Sequence, residues 1–125
     1  MLQELNSILL YVQDISASKE FYEKLGFEIS EYDDAGFNAL LGNFAIQCYD
    51  QEQVEFKKDF EGVEKGAGVF FSILVENIDD YYKQLIENGI TPSSEPRDWE
   101  WGNREFVAKD PDGYRYVFYT PIEQN

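Results

Sequence analysis

A chain of 125 residues can build one ordinary core but not two independent domains. With 43% hydrophobic and 17% aromatic residues it has the composition of a folded globule, its apolar runs are of strand length and exclude a membrane span, and the residues after Met1 lack the order of a secretion signal. Twenty-five acids against ten bases leave a net charge of −15, which repels phosphate backbones and anionic membranes and favours cationic partners.

Cys48 is the only cysteine and histidine is absent, so no intramolecular disulfide and no His-based triad is possible. This usage suits a reducing cytoplasm, the expected location.

In chain order, Ile8–Val12 reads as a strand. The segment SKEFYEKLG follows as a helix with Phe21, Tyr22 and Leu25 on one face and Gly26 as its stop. Strands are expected at Phe27–Tyr32, Phe37–Leu41 and Phe44–Tyr49, joined by turns at Asp33–Gly36 and Gly42–Asn43. Cys48 sits in the last of these as a small core residue. The stretch from 51 to 67 is polar and reads as a linker.

The same order then recurs. Phe70–Val75 is a strand and DDYYKQLIEN a helix, with Tyr82, Leu85 and Ile86 on its inner face and Gly89 as its stop. Strands follow at Ile90–Ser94, Arg104–Ala108 and Tyr114–Tyr119, the last two joined by the Asp110–Gly113 turn. Val12 and Val75, Asp14 and Asn77, Ile15 and Ile78, Gly26 and Gly89, and Phe27 and Ile90 are each 63 positions apart, the mark of an internal repeat. The expected class is α+β: two βαβββ modules, repeat one over about 5–50 and repeat two over about 68–121, forming one domain over 1–125. Two such sheets side by side can curl into a trough for a ligand, deepened by pairing as a homodimer.

The segments VQDISASKEFYEKLGFE and WGNREFVAKDPDGYRYVF resemble the first-repeat signature and the final hairpin of the vicinal oxygen chelate superfamily. That group comprises the glyoxalases, bleomycin resistance proteins and extradiol dioxygenases, and the resemblance runs from Leu5 to Pro121. It implies paired βαβββ modules, commonly in a homodimer, and in the enzymes a divalent metal held by His, Glu or Gln. The matching positions here are Ser7, Gln47, Phe70 and Val117, of which only Gln47 offers a suitable donor. No metal and no other cofactor is therefore expected, and no catalytic residues emerge.

In the bleomycin resistance branch, the resemblance implies sequestration of a bulky cationic drug by aromatic and acidic side chains. Trp101, Gly102, Arg104 and Phe106 are the residues carried over, with Arg104 suited to orienting the hairpin through a salt bridge. Trp99 joins Trp101 because alternate residues of an extended chain share a side, and flat rings suit planar or cationic ligands. Asp98 and Glu100 flank the tryptophans and are expected to neutralise a cationic tail; Phe37 completes the candidate ligand-binding set. The expected function is binding of an aromatic or cationic small molecule, with neither nucleic acid nor membrane as partner. The alternative is a glyoxalase-like metal-dependent lyase or isomerase with an unrecognised carboxylate site.

Overall fold

The computed structural model describes residues 1–53 and 61–123. The chain divides into two compact units, Met1–Val63 and Glu64–Asn125, and the division falls within the stretch expected as a linker. Residues 54–60 of that stretch lie outside the described residues.

The first unit runs β1 (Ser7–Val12), α1 (Ile15–Leu25), β2 (Glu28–Ser30), β3 (Gly36–Leu41) and β4 (Phe44–Asp50), then a short 3-10 turn at Gln51–Gln53. Its four-stranded sheet has the order β1-β4-β3-β2, with β1 parallel to β4 and the other pairs antiparallel. The second unit repeats the plan with β5 (Phe70–Leu74), α2 (Ile78–Glu87), β6 (Arg97–Asp98), β7 (Asn103–Lys109) and β8 (Arg115–Pro121), in the order β5-β8-β7-β6. These are the two βαβββ modules that the repeat predicts.

The two helices begin and end alike because the same local chemistry recurs. The Ala17 amide donates to Asp14 Oδ1 and the Asp80 amide to Asn77 Oδ1, each at 3.1 Å, from cap residues with nearly identical extended backbones. At the other end, Gly26 and Gly89 both adopt positive φ. Their amides donate to Glu23 and Ile86, while the Phe27 and Ile90 amides donate to Tyr22 and Leu85, which closes each helix with a glycine-capped turn.

Each helix covers one face of its own sheet. Leu10, Val12, Phe37, Ala39, Ile46 and Cys48 point toward α1, where Tyr22 packs edge-on against Phe27 and lies 6.1 Å from Phe37. In the second unit Phe106, Ala108, Tyr116 and Phe118 are buried, and Tyr81 and Tyr82 pack on Phe106 at 6.2 and 5.2 Å. The inner stripe of α2 is thus Ile78, Tyr81, Tyr82 and Leu85. Ile86, expected to face inward, is 48% exposed: eight residues after Ile78 it lies about 80° round the helix from it, at the margin of the stripe.

One strand differs from expectation. Ile90–Ser94 forms no ladder, and the pairing strand is Arg97–Asp98 instead. Pro92 and Pro96 lack the amide a ladder requires. At the gap the Ser93 amide donates to the Val107 carbonyl, and Ser94 Oγ accepts from the Val107 amide at 2.9 Å in place of a carbonyl.

The linker's end is anchored. Lys65 Nζ meets Asp112 Oδ1 at 2.6 Å, with the two side chains 15% and 2% exposed. A side chain at Gly66 would come within 2.9 Å of the Gly113 carbonyl. The receiving turn is built as its sequence suggests: Asp110 Oδ1 accepts from the Asp112 and Tyr114 amides, and Gly113 has φ 97°.

Candidate functional site

The β6–β7 hairpin carries the aromatic pair. The Trp99 amide donates to the Asn103 carbonyl at 2.8 Å and the Gly102 amide to the Trp99 carbonyl at 3.1 Å, leaving Glu100, Trp101 and Gly102 as a three-residue loop. Gly102, at φ 95°, supplies the left-handed position this hairpin type requires, and its carbonyl accepts from the Ile122 amide.

The two indoles stack with centroids 4.6 Å apart and planes 12° from parallel. The expected proximity holds for a different reason: the chain turns at Trp99, so the rings meet across a tight turn rather than along a strand. The Arg97 guanidinium lies 3.8 Å over the Trp99 ring. Trp101 Nε1 donates to Glu105 Oε2 at 3.2 Å, and Asn103 Nδ2 donates to the same oxygen at 3.3 Å.

Strand alternation sorts the remaining candidates onto two faces. Arg97 and Glu105 are register partners on the face of the second sheet that α2 leaves uncovered, with Trp99 and Trp101 beside them. Asp98 and Arg104, also partners, point to the helix side. There Arg104 Nε and Nη2 donate to the Asp79 carboxylate in the first turn of α2, and Nη1 donates to Asp98 at 3.0 Å. These bonds, to Asp79 first and then Asp98, raise the guanidinium's pKa.

Three of the expected ligand-binding residues make other contacts. Asp98 is committed to Arg104 on the face opposite the indoles. Phe106, 1% exposed, packs among Tyr81, Tyr82 and Phe118, and Phe37, 3% exposed, packs beside Tyr22, so both are core residues. Glu100 is exposed at the tip of the loop. Arg97 and Glu105, absent from the expected set, are the side chains that hold the indole pair. Their signal was the period of two from Arg97 to Trp99, with Glu105 following the turn.

The positions matching the superfamily's metal ligands do face outward. Leu9 and Gln47 are register partners, so Ser7 and Gln47 share the uncovered face of the first sheet. Phe70 and Val117 share that of the second. A hydroxyl, a carboxamide, a phenyl ring and an isopropyl group do not make a divalent-metal donor set. No group of three or more His, Cys, Asp or Glu side chains suited to a metal occurs among the described residues.

A depression of about 630 Å³ opens at the start of α1, lined in part by Asp14, Asp33, Asp34 and Asp50. Three of these carboxylates serve the local backbone. Asp14 caps α1, Asp33 accepts from the Ala35 and Gly36 amides, and Asp50 accepts from the Glu52 amide. No helix of the described residues is long and apolar enough to cross a membrane.

Comparison with known proteins agrees with this fold. A bleomycin resistance protein of Geobacillus stearothermophilus is 32% identical over 125 aligned positions, covering 91% of this chain and 94% of that protein. Bleomycin resistance proteins of Staphylococcus aureus match equally. Among solved structures, a glyoxalase/bleomycin resistance protein/dioxygenase from Nocardioides superposes with a TM-score of 0.79 at 22% identity, covering 100% of this chain and 87% of that one. A family enzyme from Burkholderia phytofirmans gives a TM-score of 0.80 at 19% identity, covering 96% of this chain and 100% of that one. Residues 4–118 match the Glyoxalase/Bleomycin resistance protein/Dioxygenase superfamily, and the chain belongs to that superfamily.

Proposed function

We propose that the protein binds a bleomycin-type glycopeptide, or a similar aromatic and cationic compound, at the Trp99–Trp101 hairpin and holds it chemically unchanged and without metal. The observation that carries this reading is the stacked indole pair on the sheet face that α2 leaves uncovered, with Trp101 57% exposed and bonded to a carboxylate. An exposed indole offers a rigid apolar surface at low entropic cost. The 32% identity to bleomycin resistance proteins along most of the chain supports the choice of ligand. In this reading Gly102 shapes the loop, and Glu100 adds negative charge at its tip.

Calorimetric titration of the chelator-treated protein with bleomycin tests the reading. Trp101→Ala is expected to weaken binding tenfold or more while leaving the thermal midpoint in place. Wild-type affinity in that variant contradicts it.

The assembly proposed with this function is a homodimer. Leu9, Phe70 and Leu74, each more than half exposed, stand on strands at sheet edges and put apolar area where a second copy would cover it. Sedimentation equilibrium is expected to give twice the chain mass, and a monomer at micromolar concentration rules the dimer out.

A further inference from the structure

We propose that Arg97, Trp99, Trp101 and Glu105 form a one-sided platform that selects planar cations, in which Arg97 closes one end of the indole stack and Glu105 orients the other. The inference rests on the binding reading above and specifies its chemistry. Arg97 at 3.8 Å and Trp101 at 4.6 Å both lie over the Trp99 ring. Two groups that near cannot share one side of it, so they cover opposite faces and Trp99 offers a ligand none. A ring entering between the indoles needs them about 7 Å apart, two van der Waals layers, which would break the stack. The outer face of Trp101 is the indole face that remains.

That face is tuned for positive charge. The Trp101 N–H donates to a carboxylate, which enriches the indole π-system, and a cation over an indole face is held by that electron density. Both bonds to Glu105 use Oε2, leaving Oε1 beside the platform to face a ligand's charge. A flat ring bearing a positive charge satisfies the face and the carboxylate together. A planar anion meets repulsion from the carboxylate, and a compact ammonium ion leaves most of the indole uncovered. Arg97 is a positioning residue in this scheme: it touches Trp99 and acts on the ligand through the stack.

Two measurements on the intact protein test the platform. In circular dichroism the stacked indoles are expected to give an exciton couplet, lost in Trp101→Ala and at least halved in Arg97→Gln. In equilibrium dialysis N-methylquinolinium is expected to bind and naphthalene-2-sulfonate is not. Its affinity is expected to fall about three- to fivefold in Arg97→Gln and Glu105→Gln, the size of one exposed cation–π or charge contact. Glu87→Gln, on α2, removes one negative charge elsewhere and is expected to bind like wild type. The proposal is overturned if the wild-type couplet is absent, if Arg97→Gln and Glu105→Gln bind like wild type, or if Glu87→Gln weakens binding as much as Glu105→Gln. Because the probe is no glycopeptide, failure with bleomycin alone removes the drug assignment and leaves the platform standing.

Discussion

Trp101 and Phe106 belong to the same hairpin, yet one is 57% exposed and the other 1%. The difference follows from backbone geometry: the loop that ends at Gly102 turns Trp101 outward, and alternation along β7 sends Phe106 under α2. Both residues stand in the same superfamily-like motif, and the motif does not say which face each takes. Substitution separates them. Phe106→Ala is expected to cost about 3 to 5 kcal/mol in urea unfolding, as for a large aromatic removed from a packed core. Trp101→Ala is expected to stay within about 0.5 kcal/mol of wild type, as for a surface change. Equal losses would show that Trp101 is a core residue and not a ligand surface.

The helices and their stops were legible because their determinants are local. Gly26 and Gly89 announce the stops, whereas α1 starts at Ile15, three residues before the expected SKEFYEKLG segment. The partners of distant residues were not legible. Lys65 and Asp112 are 47 positions apart, and no local pattern announces their ion pair. The displacement of β6 was hidden for a related reason, since Ser94 Oγ stands in for a backbone carbonyl opposite Val107. The ion pair is nearly buried, so Lys65→Met is expected to cost about 2 kcal/mol in chemical unfolding by removing the charge-assisted bond to the Asp112 carboxylate. A loss below about 0.5 kcal/mol would show that the linker's end does not depend on it.

Tyr81 on α2 gives a pH signature. Burial pushes its phenol above the ordinary value of 10 by disfavouring the charged form. The folded state therefore keeps a proton that the unfolded chain releases, and this contribution to stability is complete below about pH 10 and is lost as pH rises above it. Tyr81→Phe is expected to flatten the alkaline limb of the stability profile relative to wild type. Parallel limbs for the two proteins would contradict the assignment.

At the scale of the whole molecule, the −15 charge and the proposed indole platform would act on the same class of ligand over different distances. Long-range attraction by the acidic surface is screened over roughly 8 Å at physiological ionic strength, whereas stacking on Trp101 is not. Added salt is thus expected to slow association of a cationic ligand more than it speeds dissociation. The fold class and its repeat were readable from residues 63 positions apart, while the candidate site was less so, because Arg97 and Glu105 meet only through cross-strand register. The most direct test of metal-free binding at the hairpin is an intrinsic-fluorescence titration of the chelator-treated protein with bleomycin. Saturable quenching at about one ligand per chain, lost in Trp101→Phe, is the predicted result; emission that stays constant through the titration would contradict it.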